Sequence, residues 1–410
     1  MILIYNLVVR TYGFIIRCAS IKNIKAKAWI KGREKWENKI KEHKFHKPNT
    51  IWFHCASYGE FEQGLPLIQA VKEKYPNFNI VITFFSPSGY TMFKNTPLAD
   101  AVFYLPLDTP SNAKKFIQLI NPNIVVYIKY EFWLNYLNEL KNKQINTYLV
   151  SATFKPHHPF FKWYGKIFIK SLNTFKTIYL QDLQSQKLLN TINIKNTIIA
   201  GDTRFDRVNQ IKNKNKENQL IAQFKKNNLL FIAGSTWPYD DDYIIKSIVT
   251  TKNNNFKYII APHEISENNI LKLEEKLKQN NINYCTYSNF NENTNLLVLN
   301  CMGELSSIYK YADLTYIGGG FGKEGIHNVL EPTIYLKPSS FYGSNYTKFN
   351  EIVELKALNC VFNLNENNTL VDLLNNYSNL NLIEIKNKLE NYFSQRIGST
   401  QKVLLDIFGN

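Results

Sequence analysis

The sequence predicts an α/β protein with two doubly wound domains, each a parallel sheet with helices on both faces. Short apolar β-runs alternate with amphipathic helical stretches from residue 49 onward, which is the pattern of such sheets. The pattern restarts after a polar, charged stretch, and 410 residues suit two domains of ordinary size. The predicted organisation is an N-terminal segment at 1–48, a first domain at 49–208, a linker at 209–228 and a second domain at 229–410.

The chain is strongly basic, with 49 Lys and Arg against 33 Asp and Glu, for a formal net charge of +16. This balance favours an anionic partner, which leaves nucleic acid, an acidic membrane surface or a phosphorylated substrate open. The 5 cysteines are widely spaced and none forms a C-x-x-C pair. That usage predicts a reducing compartment and argues against a disulfide scaffold or a zinc site.

The N-terminal segment combines an apolar stretch at residues 2–16 with a basic tract. The stretch is shorter than the about 20 residues of a spanning helix, and no small-residue cleavage site follows it, so neither a span nor a signal peptide is expected. On a helix, Asn6, Arg10, Gly13 and Arg17 form one narrow polar stripe. The sequence predicts an amphipathic helix on an anionic membrane surface, and an ordinary surface helix remains the alternative.

Seven β-runs are predicted in the first domain, and ligands of such sheets bind beyond the carboxyl ends of the strands. After the first run, Gly59 permits a tight turn and Glu60 begins the next helix, where it could be a general base or only a helix-start carboxylate. After the fourth run, Lys129 and Glu131 are costly to bury unless they pair with each other or bind a ligand. The predicted runs are 51–54, 80–85, 101–104, 124–128, 147–150, 177–180 and 197–200.

Four β-runs are predicted in the second domain, and each ends in a loop of small or polar residues. These loops are expected on one edge of one sheet, where they suit a phosphate and a sugar–base, although each alone is also a routine connection. The runs are 229–233, 258–261, 296–299 and 314–317. The residues of interest after them are Ser235, Thr236, Pro262, His263, Met302, Gly303 and Glu304.

The most distinctive stretch is 317–332, IGGGFGKEGIHNVLEP, which follows the last of these runs. Its three glycines predict a turn whose backbone N–H groups approach a phosphate, and a helix is expected from Ile326 onward. The spacing is neither G-x-G-x-x-G nor a Walker loop. A tight strand–helix turn without a ligand is the alternative.

Several motifs occur in an order that resembles one family. They are SYGE (57–60), EFW (131–133), MGEL (302–305) and GGGFGKEGIHNVLEP (318–332), with SPSGY, YLPLD, GDTRFD, GSTW and YGSNYTKF between or after them. Together they are similar to the 3-deoxy-D-manno-octulosonic acid (Kdo) transferases of lipid A biosynthesis. The similarity covers nearly the whole chain.

The resemblance implies a GT-B fold, in which two Rossmann-like domains face each other across a cleft. It implies a CMP-Kdo donor on the C-terminal domain and a tetra-acylated lipid A precursor (lipid IVA) as acceptor on the N-terminal one. The reaction would invert the anomeric centre without metal or cofactor. The enzyme would work at the cytoplasmic face of the bacterial inner membrane, with no nucleic-acid partner.

The same resemblance assigns roles by position. Glu60 would be the base that deprotonates the acceptor hydroxyl, and Glu331 would hold the ribose hydroxyls. On chemical grounds, the leaving phosphate needs nearby cations, which Lys323 or His263 could supply. The acceptor side would include Ser57, Gly59, Lys129 and Glu131. The nucleotide side would include Ser235, Thr236, Pro262, His263, Met302, Gly303, Glu304, Gly319, Gly320, Asn328 and Glu331.

The chain departs from the family pattern at two positions. Relatives commonly read Pro-Arg-His where this chain has Pro262-His263-Glu264, so another cation must replace the arginine. Relatives also commonly read Gly-Gly-His where this chain has Gly325-Ile326-His327, and an isoleucine does not readily adopt positive φ.

Two other functions remain open. One is a GT-B enzyme that uses a UDP-sugar, of the lipid-linked disaccharide synthase or epimerase type; the other is a non-catalytic basic protein that binds membranes or nucleic acid.

Overall fold

The computed structural model describes residues 2–214, 217–322 and 325–409. The chain forms two compact units, one of residues 1–207 with 396–410 and the other of residues 208–395. Each unit contains its own seven-stranded sheet, in which neighbouring strands run parallel. The prediction of two α/β doubly wound domains is confirmed.

The sheet of the first unit has the strand order β3-β2-β1-β4-β5-β6-β7. Its strands are β1 (Asn49–Cys55), β2 (Phe78–Phe84), β3 (Ala101–Tyr104), β4 (Ile124–Ile128), β5 (Asn146–Ala152), β6 (Thr177–Leu180) and β7 (Thr197–Ile199). All seven runs predicted for this domain are strands, with ends that shift by a residue or two. The helices are α1 (Ile2–Ala19), α2 (Ile24–Arg33), α3 (Trp36–Glu42), α4 (Tyr58–Lys74), α5 (Pro87–Phe93), α6 (Pro110–Ile120), α7 (Leu134–Asn142), α8 (Lys166–Leu172), α9 (Leu183–Asn190) and α10 (Thr203–Lys214).

Strand β1 shows why the predicted β-runs consist almost entirely of apolar residues. Six of its seven residues are buried, because helices cover both faces of a parallel sheet. Successive side chains point to opposite faces, so Trp52 packs into one apolar cluster while Ile51 and Phe53 pack into another. The last residues of this strand are therefore buried up to the carboxyl end of the sheet.

Helix α1 turns an apolar face away from the protein. Leu3 is 79% exposed and Phe14 is 67% exposed, whereas the Tyr5 hydroxyl donates to Asp108 Oδ2 at 2.5 Å and Asn135 donates to Asn6 at 2.9 Å. The helix is 18 residues long and, by length and composition alone, apolar enough to cross a membrane, with 6% of it buried. The expectation that the segment is too short to span was therefore wrong, because the helix runs three residues beyond the apolar stretch, to Ala19.

The sheet of the second unit has the strand order β10-β11-β9-β8-β12-β13-β14. Its strands are β8 (Leu229–Thr236), β9 (Phe256–Pro262), β10 (Tyr284–Thr286), β11 (Leu296–Val298), β12 (Leu314–Ile317), β13 (Ser339–Tyr342) and β14 (Val361–Leu364). Its helices are α11 (Gln219–Lys225), α12 (Pro238–Thr250), α13 (Glu267–Gln279), α14 (Leu305–Ile308), α15 (Leu330–Thr333), α16 (Asn350–Ala357), α17 (Leu370–Asn375) and α18 (Leu382–Ser394). Strands β10, β13 and β14 were not predicted, because they are only three or four residues long and carry polar side chains.

The stretch expected to be a linker is largely helical. Helix α10 continues through Lys214, and α11 begins after Asn218, whose side chain accepts from the Ile221 backbone N–H. Polar composition suggested a loop, but α11 buries Ile221 and Phe224, and burial of a single apolar face is enough to hold a short helix.

The last helix, α19 (Ser399–Phe408), packs on the first unit. The Asp206 carboxylate accepts from the backbone N–H groups of Gly398 and Thr400, both at 2.6 Å, and Tyr179 donates to Asp406 at 2.5 Å. The expected second domain, 229–410, therefore differs from the second unit, which ends at residue 395. Sequence order assigned the last helix to the second domain, whereas its polar and apolar contacts attach it to the first.

Candidate active site

Each sheet has a place near its centre where the strand order reverses. In the first unit this place lies between β1 and β4, and in the second it lies between β8 and β12. The connections leaving two such strands go to opposite faces, so a crevice opens beyond their carboxyl ends, and ligands of doubly wound sheets bind there. The loops after these four strands contain the residues on which the sequence prediction concentrated.

The first of these loops carries Ser57 and Glu60 at the start of α4. Ser57 precedes the helix, and its hydroxyl donates a short hydrogen bond to Glu60 Oε2. Gly59 lies within the first helical turn without positive φ, and a Cβ there would meet only Ser57 Oγ, at 4.0 Å. The expected tight turn at Gly59 is therefore wrong, since the backbone is helical and the space beside it is open.

Glu131 follows β4 and lies close to the end of β1. Its Oε2 accepts from the Trp133 indole at 2.5 Å and lies 3.1 Å from His54 Nε2, and its side chain is 12% exposed. Burial raises the pKa of the Cys55 thiol well above its ordinary value, and the nearby carboxylates of Glu60 and Glu131 raise it further. Both carboxylates thus act on the buried thiol at the end of β1.

Lys129 follows β4 directly and has an unusual backbone conformation. Its φ is 71°, a left-handed value that is uncommon for a residue other than glycine, and its N–H donates to the Val150 carbonyl at 2.9 Å. Burial raises the pKa of Asp202, but Arg204 and then Lys129 lower it, and the result lies below the ordinary value. Strained backbone at a strand end commonly marks a functional site.

The end of β8 forms the matching position in the second unit. Ser235 has a φ of 53° at an irregularity between Gly234 and Thr236, and Thr236 is buried. The backbone N–H of His263 donates to the Thr236 carbonyl at 2.9 Å, which joins the loop after Pro262 to this strand end. The structure therefore brings these four predicted residues together.

Three rings stack beside this strand end. Trp237 lies 4.8 Å from His263, and His263 lies 4.4 Å from His327, measured between ring centroids. The Trp237 indole N–H donates to His327 Nε2 at 3.0 Å. Burial, and then the neighbouring His263, lower the pKa of His327 to about 4, so this imidazole is neutral at physiological pH.

Hydrogen bonds to carboxylates join α14 to α15 and to the residue before α11. Glu331 accepts from the Ser306 hydroxyl at 2.6 Å and from the Asn328 amide at 3.2 Å. Glu304 accepts from Asn218 at 3.3 Å at the start of α14. The two residues before Glu304 are open to solvent: Met302 is 66% exposed, and nothing lies within 4 Å of the position of a Cβ on Gly303.

The glycines after β12 pack against protein rather than open a phosphate cradle. A Cβ on Gly318 would overlap the Ser235 carbonyl, and one on Gly320 would overlap the Tyr342 carbonyl. The Gly319 N–H already donates to Asp240 Oδ2 at 2.9 Å. The prediction that these N–H groups face a ligand is therefore wrong for Gly319, and the residues are glycine because backbones approach closely here.

The helix expected from Ile326 is also wrong. Residues 325–328 are not helical, and α15 contains only four residues, Leu330–Thr333. Gly325 takes the positive φ, at 92°, while Ile326 is buried without it. Lys323 and Glu324, the expected loop cation and its neighbour, lie outside the described residues.

Four residues around these sites were not singled out from the sequence: His54, Thr83, Trp237 and Asp240. Asp240 accepts from Tyr316 at 2.6 Å and from the Trp237 N–H at 3.0 Å, and burial raises its pKa. Asp240 is the third residue of α12, a position from which a carboxylate can accept from the N–H of the residue before the helix. His54 is the last but one residue of the apolar strand β1, where nothing local marks it. Within residues 2–214, 217–322 and 325–409, no group of three or more His, Cys, Asp or Glu is arranged to hold a metal ion.

The fold is shared with solved structures of other proteins. A UDP-GlcNAc 2-epimerase from Neisseria meningitidis aligns with a TM-score of 0.58 at 12% identity, over 87% of this chain and 98% of that one. A MurG from Acinetobacter baumannii aligns with a TM-score of 0.52 at 9% identity, over 87% and 98%. At these identities the likeness concerns the fold, and the predicted GT-B class is confirmed.

The sequence itself is similar to one family. The family profile described as 3-Deoxy-D-manno-octulosonic-acid transferase (kdotransferase) matches residues 32–207. A 3-deoxy-D-manno-octulosonic acid transferase from Haemophilus influenzae is 30% identical over 301 residues, which is 71% of this chain and 70% of that protein. One from Aquifex aeolicus is 27% identical over 309 residues, 74% of this chain and 79% of that protein. The chain belongs to the Kdo transferase family, the glycosyltransferases that attach Kdo in lipopolysaccharide biosynthesis.

Proposed function

We propose that this protein transfers Kdo from CMP-Kdo to a lipid A precursor, lipid IVA, with Glu60 as the catalytic base. The observation that carries the proposal is the position of Glu60 beyond the carboxyl end of β1, at the reversal of strand order, with a hydroxyl donor on its carboxylate and open space beside the neighbouring Gly59. The acceptor binds to the first unit, near Ser57, Gly59, Lys129 and Glu131. The donor binds to the second unit.

The chemistry is a displacement at the anomeric carbon of Kdo. The acceptor oxygen forms the new bond to this carbon, the bond from the carbon to the CMP phosphate oxygen breaks, and the hydroxyl proton passes to Glu60. Attack opposite to the leaving group inverts the anomeric centre. Ser57 donates to Glu60 Oε2, so this bond directs the other carboxylate oxygen to the acceptor.

The donor is held by the residues after β8, β9 and β11 and by the network around Glu331. Ser306 and Asn328 orient both oxygens of the Glu331 carboxylate, which suits a pair of ribose hydroxyls. Ser235, Thr236, Pro262, His263, Met302, Gly303 and Glu304 complete this side, with Gly319 and Gly320 shaping it through their packing.

The leaving phosphate requires a positive partner in place of the arginine that relatives carry. His327 is neutral because burial lowers its pKa to about 4, so it serves as a hydrogen-bonding group. Lys348 is exposed, and a Cβ on Gly325 would lie 3.0 Å from its Nζ. We assign the cation to Lys348, assisted by the exposed His263.

The outward apolar face of α1 supports work at a membrane. Leu3, Leu7 and Phe14 are exposed, and basic side chains follow in α2 and α3. Lys and Arg near an apolar anchor are attracted to anionic headgroups by about 1 kcal/mol each. We propose that the protein works at the cytoplasmic face of the bacterial inner membrane, with an anionic surface as partner and no nucleic acid.

The test is transfer of Kdo from CMP-Kdo to lipid IVA in detergent micelles, with Glu60→Gln as the variant. We expect the variant to lose at least about a hundredfold in kcat, since general-base catalysis contributes 10²–10⁴-fold. Glu62→Gln is the matched control, because Glu62 lies on the same helix and pairs with Arg207, at 2.9 Å. Full activity of Glu60→Gln would exclude it as the base.

The donor class is tested separately by thermal shift. CMP should stabilise the protein more than UDP at the same concentration, because ligand binding to the native state raises the melting temperature. A preference for UDP would contradict the CMP-Kdo proposal and favour an enzyme that uses a UDP-sugar.

A further inference from the structure

A chain of hydrogen bonds runs from the interior of the first sheet to the Glu131 carboxylate. The Trp52 indole N–H donates to Thr83 Oγ1 at 2.7 Å, and Thr83 Oγ1 lies 2.8 Å from His54 Nδ1. On the other side of the ring, His54 Nε2 lies 3.1 Å from Glu131 Oε2. Trp52, His54 and Thr83 are all fully buried.

The order of donors determines where the His54 proton lies. An indole can only donate, so Thr83 accepts from Trp52 and has its own hydroxyl proton to give to His54 Nδ1. The ring then carries its proton on Nε2 and donates it to the Glu131 carboxylate. The opposite tautomer would set the Nε2 lone pair against a carboxylate oxygen 3.1 Å away, which is repulsive, and would leave the Trp133 indole N–H, also at 3.1 Å, as the donor to Nε2.

The same carboxylate oxygen takes a second donor. Trp133 donates its indole N–H to Glu131 Oε2 at 2.5 Å. The same N–H makes a longer contact to His54 Nε2, at 3.1 Å, which needs a lone pair on Nε2 and is given up in the Nε2–H tautomer. Neither hydrogen bond uses Oε1, which accepts from no residue in the described part of the chain. Because the Glu131 side chain is still 12% exposed, Oε1 is the oxygen left for a ligand.

We infer that His54 is a positioning residue, which clamps Glu131 Oε2 through its Nε2 proton and thereby presents Oε1 to the acceptor. Thr83 and Trp52 act behind it by selecting the tautomer. The inference deepens the proposed function and rests on it, since Glu131 belongs to the proposed acceptor side. A carboxylate fixed by two buried donors needs no reorientation when the acceptor binds.

The charged and ring groups around His54 are consistent with this role. Tyr127 packs edge-on against the imidazole at 5.5 Å between centroids, and burial raises the pKa of its hydroxyl, which stays protonated. Among the described residues, Glu131 is the one carboxylate within 4 Å of a His54 ring nitrogen, with Oε2 3.1 Å from Nε2. The imidazole therefore has a single anionic partner.

The kinetic experiment compares two substitutions of Thr83 in the full-length protein. Thr83→Val removes the hydroxyl at nearly constant shape, and Thr83→Ser keeps it. Thr147→Val is the matched control, because Thr147 is a fully buried threonine of β5 in the same sheet whose hydroxyl donates only to the Ile145 carbonyl, at 2.9 Å. With CMP-Kdo saturating, we expect kcat/KM for the lipid acceptor to fall about ten- to a hundredfold in Thr83→Val, since misplacing a binding group by about 1 Å costs that much.

The expected pattern separates positioning from folding. Thr83→Ser should restore kcat/KM to within about threefold of the wild type, and the KM for CMP-Kdo should change little in any variant. Equal losses in Thr83→Val and Thr147→Val would overturn the inference, since both would then report only lost stability. Loss confined to the donor KM would also overturn it.

A second measurement needs no substrate. In protein labelled with ¹⁵N-histidine, of which the chain has 7, long-range ¹H–¹⁵N correlation reports which ring nitrogen carries the proton. The His54 signal is identified by its disappearance in His54→Gln, and we expect it to show the Nε2–H tautomer. This signal should change in Thr83→Val and persist in Thr83→Ser. An Nδ1–H tautomer in the wild type overturns the inference even if Kdo transfer is confirmed. Failure of the wild type to use CMP-Kdo, with the expected tautomer present, would instead refute the proposed function.

Discussion

The hydrogen bond between Tyr5 and Asp108 is expected to hold α1 against the rest of the first unit. Asp108 is fully buried and accepts from the Tyr5 hydroxyl at 2.5 Å and from the backbone N–H groups of Asn135 and Tyr136, each at 3.1 Å. Burial, and then the nearby Asp108 charge, raise the pKa of Tyr5 far above its ordinary value, so Tyr5 remains a donor. Tyr5→Phe removes this donor and leaves the ring.

The size of the effect depends on the charge of Asp108. Burial raises the pKa of Asp108 from 3.8 to about 6, despite hydrogen bonds that lower it, first of them the one from Tyr5. The native state therefore keeps a proton that the unfolded chain releases, and stability falls by about 3 kcal/mol as the pH rises from 3.8 through 6. Above pH 6 the lost hydrogen bond is to a charged group and costs about 1.5–3 kcal/mol, whereas near pH 4.5 it costs about 1 kcal/mol.

The assay is urea unfolding in a non-ionic detergent at pH 7.5 and at pH 4.5. Tyr5→Phe should lower the free energy of unfolding at both values, and more at pH 7.5. The control is Tyr12→Phe on the same helix, whose hydroxyl has no hydrogen bond to any described residue. An equal or larger loss at pH 4.5, or a loss matched by Tyr12→Phe, would refute the reasoning.

Two further predictions concern the second unit. Gly320→Ala should lower the free energy of unfolding by about 3 kcal/mol or more, because the new Cβ would overlap the Tyr342 carbonyl. The control is Gly59→Ala in the first unit, where the space is open and the change should be less than about 1 kcal/mol. Similar melting temperatures for the two variants would contradict this explanation. His327 is protonated in the unfolded chain below pH 6.5 but only below about 4 in the native state, so stability should fall by up to about 3 kcal/mol as the pH drops from 6.5 to 4. His327→Gln should remove most of that fall in pH-dependent unfolding, and an unchanged slope would show that other groups cause it.

Local pattern was sufficient for the regular core of each sheet. Buried parallel strands such as β1 and β4 read as apolar runs because both faces are covered, and all eleven predicted runs are strands. Short strands with polar side chains, such as Ser339–Tyr342, were missed because their β-structure depends on neighbours that pair with them. For the same reason the apolar face of α11 was hidden within a polar stretch.

The sequence predicted which loops form the candidate site, but it did not predict which side chains contact each other there. Glu60, Lys129 and Glu131 were singled out because each follows a strand, and this information is local. The partner of Glu131 was not predictable, because His54 lies 77 residues away and becomes its neighbour only when β4 pairs with β1. Glycines 318 and 320 were interpreted as ligand contacts, whereas their neighbours are Ser235 and Tyr342 on other segments.

By itself, the sequence determined which apolar runs are strands, which loops follow them and to which family the motifs point. Those properties depend on periodicity, turn chemistry and residue type within about twenty residues. The tertiary structure alone decided that β1 lies beside β4 and β8 beside β12, because sheet order is set by crossover connections over long stretches of chain. That order joins Thr83, His54 and Glu131 into one hydrogen-bonded chain, and no local pattern could have done so.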